Sequence, residues 1–298
     1  MTTILKMLTI FSNVFLKPKH TFLLCLIILL SSCSESDPTK QNSNNNLPIT
    51  QPIESGNWYK PSINVSWQWQ LNNSINKSYN VDIYDIDLFD TQASAIKTLQ
   101  QSGKKVICYF SAGSYENWRS DKDMFPQESL GEQLDDWEGE KWLDITNNKL
   151  RTIMKSRLDL AVEKGCDGVE PDNVDGFDNI TGFALSYQDQ LEYNIFLANA
   201  ARSRGLSIAL KNDLTQVVAL EPYFDFAVNE ECNFYNECDQ LLPFIKSGKP
   251  VLNVEYSLEY VNNTNQQRDS LCEYSKLTQI QTLVLPLELD DSFRYSCN

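Results

Sequence analysis

The sequence predicts an α/β fold, a single-domain (β/α)8 TIM barrel, and three observations carry that prediction. Eight short apolar or β-branched runs alternate with longer helical patterns over roughly 240 residues, a length that suits one such barrel. Each run ends in polar or acidic side chains. The stretch Gly165-Cys166-Asp167-Gly168-Val169-Glu170-Pro171-Asp172-Asn173-Val174-Asp175-Gly176 concentrates the pattern: a very short apolar run delivers acids and an amide, residue types that disfavour strands. In parallel barrels chemistry collects at the C-terminal ends of the strands.

The eight runs are residues 65–69, 81–85, 106–110, 168–170, 207–210, 224–228, 251–254 and 282–287. Between them, residues 91–102 read as a helix stopped by Gly103. Residues 148–164 place Met154, Leu158, Ala161 and Val162 on one face and end at Gly165, a C-cap glycine. Ser186 and Asp189 form a capping box before the stripe Leu191, Ile195, Ala198 and Ala201. Helices are also expected at about 238–247, before Gly248, and about 263–276.

The chain of 298 residues holds 40 Asp and Glu against 25 Lys and Arg. Residues 1–32 contain Lys6, Lys17 and Lys19 and no acid, so the remainder has 40 acids, 22 bases and a formal charge of −18. A nucleic-acid partner, which needs a basic face, is therefore not expected. The single histidine, His20, lies in those first residues. Downstream chemistry must then work without a Ser-His-Asp or Cys-His system or a His-ligated metal.

Lys17 and Lys19 precede the apolar run 22–30 and Ser31-Ser32-Cys33, a secretory leader too short to span a bilayer. Leu30-Ser31-Ser32-Cys33 has the form of a bacterial lipobox. The expectation is a leader at 1–32, lipidation at Cys33, a polar tether over 33–57 and a barrel domain over 58–298, held at the cell envelope, in the outer membrane, by the N-terminal lipid. Six cysteines remain, an even number suited to an oxidising compartment. Cys232 with Cys238, and Cys272 with Cys297, are the expected bridges. Cys108 and Cys166 are read as buried free thiols, with a third bridge as the alternative.

The strand ends carry Trp67, Gln68 and Trp69; Asp85 and Asp87; Tyr109, Ser111, Glu116 and Arg119; Glu170, Asp172, Asn173 and Asp175; Lys211, Asn212 and Asp213; Asn229, Glu230 and Glu231; Glu255 and Tyr256; and Glu288. Carboxylates sharing a cleft raise one another's pKa values, which allows a protonated acid beside an ionised one. Aromatic rings beside them suit pyranose faces. These are the requirements of glycoside hydrolysis. Lys211 among acids is expected to pair with one and hold it ionised. Clustered carboxylates could also bind a divalent metal, but no spaced Asp-x-Asp-x-Asp loop occurs, so no metal and no cofactor is assigned.

Cys108 through Glu116, Trp142-Leu143-Asp144, Gly165 through Asn173, Leu210-Lys211-Asn212 and Asn229-Glu230-Glu231-Cys232 resemble glycoside hydrolase family 114. The resemblance runs from about Trp58 to Leu289. It implies a (β/α)8 barrel acting, like the family's endo-α-1,4-polygalactosaminidases, on a galactosamine-containing and therefore cationic polysaccharide. The family's catalytic aspartate after strand four and glutamate after strand six map onto Asp172 and Glu230. Glu231 is adjacent, and alternation along a strand lets only one of the two face the cleft; Glu230 is taken. Trp67, Trp69, Asp85, Asp87, Tyr109, Glu170, Asn173, Lys211, Asn212, Glu255 and Tyr256 are the expected substrate-binding residues, with Asp85, Asp87, Glu170 and Glu255 as partners for ammonium groups. A retaining mechanism is expected, and the alternative is a surface lipoprotein that binds glycans on the same barrel without cutting them.

Overall fold

The computed structural model describes residues 50–135 and 137–298. The leader, Cys33 and most of the tether lie outside the described residues. Gln51 and Ile53, expected in the tether, are held on the domain: Asn199 Nδ2 donates to the Gln51 carbonyl (3.1 Å), the Ile53 amide donates to Asn199 Oδ1 (2.9 Å), and Arg202 donates to the Ile53 carbonyl (3.0 Å).

Each of the eight runs yields one parallel strand: β1 (Trp67–Gln70), β2 (Ile83–Asp87), β3 (Lys105–Ser111), β4 (Gly168–Asp172), β5 (Ser207–Lys211), β6 (Phe226–Glu230), β7 (Val251–Glu255) and β8 (Gln281–Val284). Every strand pairs with the next in parallel register. A ninth strand, Tyr295–Ser296, adds to β8 in antiparallel fashion. The result is a curled, mostly parallel sheet, and among the described residues no ladder closes it into a full barrel. The reason is local, since Tyr295–Ser296 takes the free edge of β8 and the Cys272–Cys297 bridge fixes it there. The two edges are instead stitched by side chains and loops. Trp67 Nε1 donates to the Gln281 carbonyl (3.0 Å), Arg294 to the Trp67 carbonyl (2.9 Å), and the Leu71 amide to the Leu289 carbonyl (3.0 Å).

Side chains alternate across a strand, and this parity organises the molecule. Trp67, Trp69, Ile83, Ile107, Ala209, Phe226, Val228, Leu252, Val254 and Leu283 form one buried cluster inside the curl. Their neighbours Tyr84, Ile86, Val106, Cys108, Phe110, Val169, Ile208, Leu210, Ala227 and Val251 form another, with the apolar faces of the helices. The helix Asn148–Lys164 starts on Asn147, whose side chain accepts from the Lys149 amide, and ends at Gly165 in the left-handed region (φ 87°). It buries Arg157, whereas Val162, expected on the packed face, is exposed. The helix Tyr187–Arg202 has the predicted Ser186–Asp189 capping box.

Three short strands, Ser114–Glu116, Leu130–Gln133 and Glu140–Leu143, form an antiparallel sheet between β3 and the helix Asn148–Lys164. They fall in no predicted element, because runs of three or four residues carry too little periodicity. Cys108 and Cys166, expected as free thiols, are bonded to each other. Cys108 lies on the outer face of β3, and Cys166 in the turn that leads into the neighbouring β4. The Cys232–Cys238 and Cys272–Cys297 bridges are as expected.

Candidate active site

A cleft of about 450 Å3 opens at the C-terminal end of the sheet. Parity carries Asp172, Lys211 and Glu230 to it from the last positions of β4, β5 and β6. Lys211 is buried, and its Nζ lies 3.0 Å from Asp172 Oδ1, 3.2 Å from Glu230 Oε2 and 3.4 Å from Glu170 Oε1. Burial opposes the ammonium charge, but these three carboxylates outweigh it and hold the pKa well above the ordinary lysine value. Its other side rests on the Trp69 ring, 4.7 Å from the centroid.

Each carboxylate has donors of its own. Asp172 accepts from the Tyr109 hydroxyl (2.9 Å) and the Asn173 amide (2.7 Å). Glu230 accepts from the Tyr256 hydroxyl (2.6 Å) and Asn212 Nδ2 (3.2 Å), while Asn212 Oδ1 takes the Glu230 amide (3.0 Å). Both remain open to solvent, with side chains 16% and 29% exposed. Their nearest oxygens can be no further apart than the sum of the two distances to Lys211 Nζ, 3.0 and 3.2 Å. Glu231, the adjacent acid, sits at φ 59° and lies off the inner parity of β6, so Lys211 and Tyr256 meet Glu230 and not its neighbour.

The turns that place these groups need unusual backbone. Asn173, Asn212 and Asp213 all have positive φ, a region Asn and Asp tolerate better than most. Gly113 packs so tightly on Asn173 that a Cβ there would come 1.6 Å from its carbonyl oxygen. The Asn173 side chain donates through Nδ2 to Ser111 Oγ (3.0 Å) and Ser114 Oγ (3.2 Å), which supports the turn, and Asn173 lines the cleft.

Five of the expected binding residues belong to other layers. Trp67 and Trp69 are both core, because residues two apart share a face and that face is the closed interior of the curl. Glu255 has the opposite parity. It is fully buried outside the curl and accepts from the Asn233 (2.8 Å) and Phe234 (3.3 Å) amides, holding the loop after β6. Asp85 and Glu170 have the right parity but lie one layer below the cleft floor with no exposure, which makes five corrected residues with the two tryptophans and Glu255. Burial raises both pKa values, in Glu170 with the neighbouring Asp85 as the next cause. The two titrate as a unit, retaining a proton that would be lost in water.

Asp87 lines the cleft and is engaged by Arg119, at 2.7 and 3.1 Å, which Glu116 also pairs with at 2.8 Å. Arg157 continues this buried network to Asp121. The aromatic rings at the mouth are Trp118, Trp137 and Trp142. They come from or beside the small antiparallel sheet that the sequence did not reveal. Glu140 and Asp175 also line the cleft, each pushed up to about 7, chiefly by burial.

Two exposed carboxylates held near one another at the open end of a parallel α/β sheet, with tryptophan rings at the rim, define the class of the glycosidases. The profile of glycoside-hydrolase family GH114 matches residues 49–298. The chain belongs to that family. Among solved structures it is similar to that of Aspergillus fumigatus Ega3 in complex with galactosamine, at 42% identity and a TM-score of 0.76, covering 82% of this chain and 99% of that one. The glycoside hydrolase domain of PelA from Pseudomonas aeruginosa shares the fold at 12% identity, with a TM-score of 0.59 over 78% of this chain and 97% of that one. An uncharacterized protein of Methanocaldococcus jannaschii, MJ1477, is 24% identical over 177 residues, 52% of this chain. The match spans about half, 51%, of the length of that curated relative.

Proposed function

We propose that the chain hydrolyses α-linked, galactosamine-containing polysaccharide with retention of configuration, Asp172 acting as nucleophile and Glu230 as general acid and base, on a (β/α)8-type scaffold. The observation that carries this reading is the shared Lys211 contact, which brings the two carboxylates within the sum of 3.0 and 3.2 Å. Retaining pairs stand about 5 to 5.5 Å apart, and inverting pairs about 6.5 to 9.5 Å.

One lysine between two acids also suits the charge changes of a double displacement. The double displacement requires Asp172 to enter as the carboxylate and Glu230 to supply a proton. Glu230 gives that proton to the leaving oxygen as Asp172 bonds to the anomeric carbon. In the glycosyl-enzyme Asp172 is a neutral ester and Glu230 the ionised base that takes a proton from water. The pair holds one negative charge at each stage, and Lys211 Nζ, within reach of both, stays opposite it without moving. Tyr256 and Asn212 donate to the ionised Glu230 and keep it on the cleft side.

The substrate class is supported by family membership, by the galactosamine in the similar Ega3 structure and by the acidity of the chain. The intact pair speaks against a glycan-binding protein without activity. The leader reading, with export, lipidation of Cys33 and anchorage in the outer membrane, is supported by three disulfides among the described residues, which fit an oxidising compartment. The test is digestion of an α-1,4-linked galactosamine polymer followed by the anomeric configuration of the first product. An α-anomer is expected; a β-anomer formed first overturns the retaining pair, and no product from any galactosamine polymer overturns the substrate.

A further inference from the structure

The cleft continues past Glu230 into a second arm, also of about 450 Å3, and one wall of that arm is the loop after β6, residues 231–238. The loop carries Phe234 and Tyr235, 53% and 61% exposed. Among the described residues they are the one pair of chain neighbours in the set of exposed large apolar side chains. Their rings meet edge to face, with centroids 5.1 Å apart and planes at 90°. Tyr235 lines the arm, and Phe234 stands against it. Single apolar side chains at a surface need no explanation, but a pair of adjoining aromatic rings does.

The backbone under these rings is held from several directions. The Cys232–Cys238 bridge closes the loop. Within it the Tyr235 amide donates to the Glu231 carbonyl (3.0 Å), the Asn236 amide to the Asn233 carbonyl (3.1 Å) and the Glu237 amide to the Cys232 carbonyl (2.8 Å). From β7 the Val254 carbonyl takes the Glu231 amide (2.7 Å), and the fully buried Glu255 carboxylate accepts from the Asn233 (2.8 Å) and Phe234 (3.3 Å) amides. Ordering a segment costs conformational entropy, which the packing of its side chains ordinarily offsets. Here the two largest side chains of the loop stay largely in solvent. A surface loop held this firmly keeps its rings in place for a partner and lowers the cost of binding it. A fixed aromatic face suits a flat ring with apolar carbons on one side, as a pyranose has. The arm that leads away from Asp172 and Glu230 brings a polymer to it.

We propose that Phe234 and Tyr235 form a sugar-stacking platform, a subsite away from the cleavage point that holds the polymer by its ring carbons and not by the substituent on nitrogen. Its effect falls on the binding of long chains and grows with chain length. This rests on the polysaccharide reading above and deepens it.

The experiment compares the double variant Phe234→Ala/Tyr235→Ala with the wild type on an α-1,4-linked galactosamine polymer. KM should rise about tenfold, the scale of lost aromatic stacking, with a smaller change in kcat. The swap Phe234→Tyr/Tyr235→Phe, which retains both rings, should restore KM. An alanine pair with wild-type KM, or a swap as weak as the alanine pair, overturns the platform. So does a rise in KM matched by a fall in melting temperature, since the rings would then support the loop. Calorimetry in the Asp172→Asn background separates this from a failure of the hydrolysis reading. Affinity for galactosamine oligomers should rise with length, and the alanine pair should lose the gain made by the longest ones, whether their amines are free or acetylated. Equal length dependence with and without the rings overturns the platform even if the polymer is cleaved. Loss of the gain supports it even if no polymer is cleaved, and no binding of any oligomer overturns both the platform and the substrate class.

Discussion

Two acid pairs inside the curl differ by one layer of the sheet. Glu170 and Asp172 are two residues apart on β4 and share its inner face. The deeper pair, Asp85 and Glu170, has no exposure and, among the described residues, meets a side-chain cation only where Lys211 Nζ lies 3.4 Å from Glu170 Oε1, and burial keeps it protonated beyond the usual carboxylate range. The upper pair, Asp172 and Glu230, is open to solvent, and each member accepts two neutral donors besides Lys211. The same residue type on the same face thus becomes neutral filling or available carboxylate according to depth and donors.

The largest expected effects test the upper pair. Asp172→Asn and Glu230→Gln should each lower kcat by about 10^3-fold or more, the loss typical of removing a nucleophile or general acid. Either variant with near-normal turnover would end the assignment. Lys211→Met should come next, because it leaves Asp172, Glu230 and the carboxyls below them without their cation. Removing one partner of a buried pair costs about 3 to 5 kcal/mol, so the melting temperature should fall together with activity. A stable, active variant would show that the acids do not need the shared charge.

Glu170→Gln should do much less. The amide resembles the protonated acid that burial already favours, so stability should hold and kcat should stay within about tenfold of wild type, since changes that leave no charge uncompensated are mild. A loss as large as that of Glu230→Gln would erase the distinction between layers.

The smallest effect concerns Asp213, whose carboxyl is pushed up to about 9, first by burial and then by Asp175. Unfolded, it titrates near 4. The folded chain therefore holds this proton more tightly, and the stability it brings is complete below about pH 4 and lost as pH rises through the folded value. Across that window the slope is at most about 1.4 kcal/mol per pH unit. The melting temperature should be higher at pH 6 than at pH 8, and Asp213→Asn should flatten the difference. An unchanged slope in the variant would place the proton elsewhere.

Much of the frame was legible in the residues. Eight apolar runs gave eight parallel strands because a strand buried on both faces must be apolar along its length. Asp172, Lys211 and Glu230 could be found because charged groups at the ends of such runs have few structural reasons to be there. The Glu255 error was also visible in principle: it lies an odd number of residues from Leu252 and Val254, which point inward, and parity alone assigns it to the outer face.

Closure, depth and the rim were decided elsewhere. Whether β8 meets β1 depends on where Tyr295–Ser296 lands after a turn, a contact between distant segments that periodicity does not encode. Of the tryptophans at the mouth, Trp142 stands on a strand of four residues and Trp118 and Trp137 on the loops beside such strands, which pairing with one another stabilises. Whether an inward acid meets water or another acid depends on how far each strand reaches along the sheet. The sequence by itself determined which side chains share a face, because the backbone alternates regardless of its partners. Tertiary structure decided how deep each lies and what stands opposite, because neighbours far apart in the chain set both.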